Sequence, residues 1–284
     1  MVNLFLGLGK LVAGVVGHSQ ALVADAVESL GDSVGSIVVW RGLDVASRPP
    51  DANHPYGHGK AEPIAAALVS ILLIAAGIGI AVESVHRIVT PHRSPAPFTL
   101  FVVLGVVLVK ELLYRRTARI GSETGSPAVR TDAWHHRSDA ITSGAAAVGI
   151  AIAIVGGPRF APADNWAALF ASGIILLTGW RLLSPAVAEL MDTSPATGLV
   201  DETRKVAEAR PGVYRVEKLL MRKMGLYYVA DMHLEVAPEM SVRESHAIAH
   251  GVKEDVQRHL PQIVEVTIHV EPAYDLSGGS PGTR

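Results

Sequence analysis

Apolar positions fill the first two thirds of the chain in long blocks, whereas in the last third they alternate with charge over short distances. A segment needs roughly 17 to 25 mostly apolar residues to cross a bilayer. Four blocks have that character: Ala65–Val82, Phe98–Val109 with an extension to Tyr114, Ala140–Val155, and Trp166–Leu183. Ala21–Ala46 reads as a fifth helix although it carries Asp25, Glu28, Asp32 and Arg41, and Val2–Val16 reads as a short sixth. That first segment is Gly-rich and interrupted by Lys10, which is unlike a signal peptide. The pattern predicts an all-α, six-helix membrane domain over residues 1–192, with the first helix short.

After a Thr-Ser-Pro-Ala-Thr-Gly linker at 193–198, the pattern predicts helix over Leu199–Ala209, strands over Val213–Met224 and Tyr227–Val236, helix over Val242–Leu260 and a strand over Ile263–Val270. Ser241 followed by Glu244 is a capping box for the second helix. The α-β-β-α-β order predicts a two-layer α+β domain over 199–275, of the ferredoxin-like, metallochaperone-like kind. Residues 276–284 have nothing to bury and are expected to be disordered.

Composition narrows the function. Half the residues are apolar and 18% charged, too little polar surface for two water-soluble domains. With 25 basic and 27 acidic side chains there is no basic excess for nucleic acid. The chain has no Cys, so His and carboxylate are its strong metal ligands. Basic residues gather on one side of the expected spans: Arg41, Arg48 and Lys60 in one loop, and Lys110, Arg115, Arg116, Arg119, Arg130 and Arg137 in another, against Arg87, Arg93 and Arg159 opposite. This predicts cytoplasmic termini and a cytoplasmic last domain.

Ionisable residues within spans are costly and must face a partner, a cavity or an ion. Glu28 and Asp32 stand four apart, as do His135 and Asp139, so each pair projects from one helix face. Together they make a cage of three carboxylates and one imidazole suited to Zn²⁺ or Fe²⁺. The alternative is that they pair with cations and hold helices together, but sequence places only Arg137 nearby. Asp25 shares the face of Glu28 and is expected to support it. Asp51, His54 and His58 form a second cluster in a Pro/Gly-rich loop, which alone reads as turn chemistry. His233, His246, and His269 with Glu271 sit on three elements that an α-β-β-α-β fold can bring to one edge.

Three runs carry a family likeness: Ala21-Leu-Val-Ala-Asp-Ala-Val-Glu28-Ser-Leu-Gly-Asp32, His54-Pro-Tyr-Gly-His58-Gly-Lys60-Ala-Glu62, and Asp132-Ala-Trp-His135-His-Arg-Ser-Asp139. Together they resemble the cation diffusion facilitators over about Gly7 to Pro272, closest in wording to the bacterial ferrous-iron/zinc and magnetosome-type members. The resemblance implies a homodimeric, proton-coupled exporter in the inner membrane that alternates access between the two faces. It implies Glu28, Asp32, His135 and Asp139 as transport ligands; an accessory loop site at Asp51, His54 and His58; and a cytoplasmic site at Glu217, His233, His246, His269 and Glu271. It further implies a Lys60–Asp192 interlock near the dimer seam. Glu28 departs from the Asp or His usual there, which tilts the preference toward Fe²⁺ or Mn²⁺. Zn²⁺, Fe²⁺, Mn²⁺ and Cd²⁺ are expected as substrate or regulator, with no separate cofactor. A non-transporting scaffold is the main rival. A membrane enzyme is not expected, because the chain should offer neither a His-Glu-x-x-His zinc site nor a Gly-x-Ser-x-Gly nucleophile motif.

Overall fold

A computed structural model describes residues 2–90, 94–124 and 127–273, so Arg93 and the tail expected to be disordered lie outside the described residues. Six long helices come first: α1 (Val2–Val16), α2 (Gln20–Ala46), α3 (Ala61–Val89), α4 (Phe98–Thr124), α5 (Pro127–Val155) and α6 (Pro162–Leu190). Then follow α7 (Thr197–Glu208), β1 (Arg215–Met224), β2 (Tyr227–Val236), α8 (Val242–His259) and β3 (Ile263–Pro272). The chain divides into two compact units, residues 1–40 with 66–184, and residues 41–65 with 185–284.

In the first unit α2 is central because its residues are small. One buried cluster joins Ala13, Ala21, Leu22, Val103, Ala146, Ala147 and Ile150; another joins Ala24, Val69, Leu73, Ile80, Ala168 and Ile175, and α2 contributes to both. A Cβ on Gly31 would collide with Leu73 Cδ2, so glycine lets α2 and α3 approach closely. The first turn of α2 is satisfied from outside: Ser19 Oγ accepts from the Leu22 N–H and donates to Asp164 at 2.6 Å, and the Gln20 N–H donates to the same carboxylate at 2.6 Å. Large apolar side chains such as Phe5, Leu72, Val82, Phe101, Val155 and Phe170 face outward, as lipid contact demands.

Among the described residues, Ala61–Val89, Ala133–Val155 and Pro158–Leu190 are long and apolar enough to cross a membrane by length and composition, and Asn3–Val16 is apolar but shorter. α2 and α4 fall outside that set. In α4 the charged residues from Lys110 onward interrupt the apolar run begun at Phe98. The basic loop expected between the fourth and fifth spans is instead helical: Lys110, Arg115, Arg116 and Arg119 belong to α4, and Arg130 and Arg137 to α5.

The second unit contains the three-stranded sheet, with β2 in the middle, antiparallel to β1 and parallel to β3. A parallel neighbour requires a crossover, and α8 supplies it. Ser241 and Glu244 form the capping box that starts α8. Val216, Met221, Ala230, Met232, Leu234, Val252, Val256, Ile263 and Val266 make the core, leaving the alternate strand residues on the other face. Gly225 turns the β1–β2 hairpin at φ 65°, and a Cβ there would lie 3.1 Å from Gly59. Lys223 beside this turn reaches Glu189 at 2.8 Å.

Candidate metal-transport site

α2 presents Asp32, and α5 presents His135 with Asp139 one turn on. Asp32, His135 and Asp139 each offer one ligand atom within 4.8 Å of the others. His135 Nε2 lies 3.6 Å from Asp32 Oδ2, and His135 Nδ1 lies 3.8 Å from Asp139 Oδ1. These gaps are too long for hydrogen bonds. They start from opposite nitrogens of one imidazole, so His135 offers a single ion one of the two gaps, and a spacing of about 3.4 Å is what a four-coordinate ion with bonds of about 2.1 Å needs between donors. Glu28 is outside this three-donor set, yet lies within electrostatic reach of Asp25, Asp32 and Asp139.

Two lysines missed by sequence reasoning complete the surroundings. Lys110 Nζ donates to Asp139 Oδ2 at 2.5 Å, with Lys110 1% exposed. Lys10 Nζ, fully buried, lies 2.9 Å from Asp25 Oδ2 and donates to Ser29 Oγ at 2.6 Å. Asp25 Oδ1 accepts from Ser143 Oγ on α5 at 2.7 Å, so Asp25 ties α1, α2 and α5 together. The expectation that only Arg137 lies near the acids is therefore corrected. Arg137 sits over the Tyr114 ring at 4.7 Å, and the packing of α4 on α5 brings Lys110 to Asp139. The readable signal was a lysine breaking each of two apolar runs, Val2–Val16 and the one ending at Val109.

The loop holds a second cluster. Asp51 Oδ1 accepts the His54 backbone N–H at 2.7 Å and the Asn53 N–H at 2.9 Å; Asp51 Oδ2 lies 3.4 Å from His58 Nε2, and the two imidazole rings are 4.4 Å apart. The His54 backbone N–H, then that of Asn53, hold the Asp51 carboxyl below its ordinary range. Two residues on, Lys60 donates to Asp192 at 2.6 Å and to the Glu189 carbonyl at 2.7 Å.

The third cluster is on the open face of the sheet. A bulge between Val216 and Lys218 interrupts the alternation of β1, so that Val216 and Leu219 both pack on the core while Glu217 is exposed. Glu217 Oε2 lies 3.6 Å from His233 Nδ1, which hydrogen-bonds Glu271 Oε1 at 2.7 Å. The parallel register sets His269 beside His233, with ring centroids 5.0 Å apart and His269 Nε2 3.5 Å from Glu271. His246 is not brought into this three-donor set. It stands on α8, which packs on the opposite sheet face, with its ring 4.5 Å from that of His250.

The run Gly31-Asp32-Ser33-Val34-Gly35 does spell Gly-x-Ser-x-Gly, which corrects the expectation that this pattern is absent. It lies inside α2 rather than on a strand-to-helix turn, and Ser33 Oγ donates to the Ser29 carbonyl at 3.0 Å, so it forms no nucleophile elbow.

Residues 1–191 match the cation efflux transmembrane domain, and residues 195–273 match the cytoplasmic domain of cation efflux proteins. The chain is a cation diffusion facilitator. Among relatives, the manganese efflux system protein MneP of Bacillus subtilis is 32% identical over 97% of this chain and 94% of its own length. Magnetosome protein MamB of Magnetospirillum gryphiswaldense is 32% identical over 95% and 91%. Metal tolerance protein 2 of rice, Oryza sativa subsp. japonica, is 33% identical over 94% and 75%. This facilitator is thus a membrane protein of a metal-efflux family, with a helical transmembrane part and a cytoplasmic α+β part, and metal cations are its cargo.

Proposed function

We propose that the protein exports divalent transition-metal ions, Zn²⁺ and Fe²⁺ foremost and Mn²⁺ or Cd²⁺ as further substrates, from the cytoplasm in exchange for protons. The observation that carries this reading is the three-donor cluster of Asp32, His135 and Asp139 between two membrane helices, each offering one ligand atom within 4.8 Å of the others. Glu28, one turn before Asp32, supplies the fourth donor when the helices close on the ion. Protons compete for the same imidazole and carboxylates, so metal uptake and proton release are linked. The carrier works as a homodimer in the inner membrane with both termini cytoplasmic, its membrane part spanning 1–192, a linker 193–198 and a cytoplasmic part 199–275. Asp51, His54 and His58 act as an accessory site, and Glu217, His233, His269 and Glu271 as a cytoplasmic regulatory site. Lys60 and Asp192 lock the ends of α3 and α6.

The test is flux in sealed proteoliposomes. Zn²⁺ or Mn²⁺ movement is expected to accelerate with an opposing proton gradient and to move protons the other way. Metal movement indifferent to that gradient would rule out the exchange, and no movement at all would leave the protein a scaffold.

A further inference from the structure

One oxygen of Asp139 is already occupied. Its Oδ2 accepts from Lys110 Nζ at 2.5 Å, while Oδ1 faces His135 at 3.8 Å. Lys110 is 1% exposed, and Asn3 Oδ1 on α1 stands 3.3 Å from the same ammonium, so the lysine is gripped from two helices. A buried ammonium that left Asp139 would lose its compensating charge in a medium of low dielectric.

We propose that Lys110 holds Asp139 as a one-oxygen ligand and thereby sets which divalent ions the site accepts. This rests on reading Asp32, His135 and Asp139 as the transport ligands. Lys110 is a positioning residue, since it meets the metal only through Asp139. Carboxylates bind metals through one oxygen or through both. Zn²⁺ is satisfied by four donors, whereas Mn²⁺ favours six oxygens and gains from every chelating carboxylate. With Oδ2 capped, Asp139 contributes a single donor, which penalises the ion that needs more. The ammonium also repels cations, but that acts on all divalent ions alike. Capping acts on their ratio.

The experiment measures Mn²⁺ and Zn²⁺ transport in competition, with the full-length protein in proteoliposomes. Lys110→Met, which fills the space without a donor, is expected to raise the Mn²⁺ to Zn²⁺ ratio about tenfold, the low end of what partners behind metal ligands carry. Lys110→Arg keeps a charged donor on Oδ2 and is expected to stay near the parental ratio. A Lys110→Met carrier that moves both ions in the parental ratio overturns the proposal. Where Lys110→Met fails to insert, the parent decides. Co²⁺ at this site, isolated as the difference between parental and His135→Ala absorption spectra, is expected to show the intense visible bands of a four-coordinate ion; weak six-coordinate bands overturn it. Parental transport of both ions by His135→Ala would instead sink the ligand assignment itself.

Discussion

Among the described residues one donor set occurs twice, an imidazole with two carboxylates, once between helices and once on a sheet. The surroundings differ in where the balancing positive charge sits. In the membrane cluster His135 makes no hydrogen bond to either acid, and the buried ammonium of Lys110 stands behind Asp139, while that of Lys10 pairs with the neighbouring Asp25. On the sheet, His233 is itself hydrogen-bonded to Glu271 at 2.7 Å, and the face is open. A carboxylate in hydrocarbon must be neutralised by something permanent, whereas one in water is solvated until a metal arrives. Similar donor sets thus sit in two different electrostatic surroundings.

The largest expected effect separates the two clusters outright. His135→Ala or Asp32→Ala should lower metal flux by about 100-fold, the upper range for losing a group that supports metal binding, while leaving the protein inserted and dimeric. Parental flux in either variant, measured in sealed vesicles, would break the comparison at its membrane end. The sheet end is tested on residues 195–275, expected to fold in water since that segment has its own core. His233→Ala combined with His269→Ala should weaken its Zn²⁺ affinity by about tenfold in calorimetry. Equal binding by parent and variant would reduce the cluster to surface histidines.

A smaller effect sharpens the membrane side. Glu28→His replaces oxygen by nitrogen and should shift competition toward Zn²⁺ over Mn²⁺ by a factor of about three to ten. An unchanged ranking would mean that Glu28 stays outside the coordination sphere. The smallest is a control on folding: Ser241→Ala removes the cap of α8 and should cost the cytoplasmic fragment about 1 kcal/mol in urea unfolding. Ser241, through its hydroxyl first and its backbone N–H second, holds the Glu244 carboxyl below its ordinary range. A depressed carboxyl stabilises the fold above its unfolded value and loses that contribution as pH falls through the folded one. The gap between parent and variant should therefore narrow as pH drops below 4.5, and a gap that widened would contradict the capping role.

Much of this architecture was legible because its causes are local. The apolar blocks, the Ser241 and Glu244 box and the alternation in β2 and β3 each depend on neighbours within a few residues, and the observed elements follow them closely. The i, i+4 spacing of His135 and Asp139 is likewise local, which is why their shared helix face could be read. What escaped depends on packing between distant segments. Lys110 looked like a loop residue because nothing in the sequence says that α4 continues to Thr124 or which side meets α5. His246 looked like a partner of His233 because a helix pattern does not reveal which sheet face it will cover. Glu217 was named only through the family resemblance, since its place rests on a bulge that simple alternation does not show.

The pairing of His233 with His269 has a consequence for quality control. A slip of one residue between β2 and β3 would turn His269 and Glu271 under α8 and bring Val270 to the open face. The slipped sheet would still form its backbone hydrogen bonds, but it would present no ligand pair. An ion that binds only the correct pairing lowers the free energy of that pairing alone, so metal capture by the cytoplasmic fragment is also an assay of whether its topology has been made correctly.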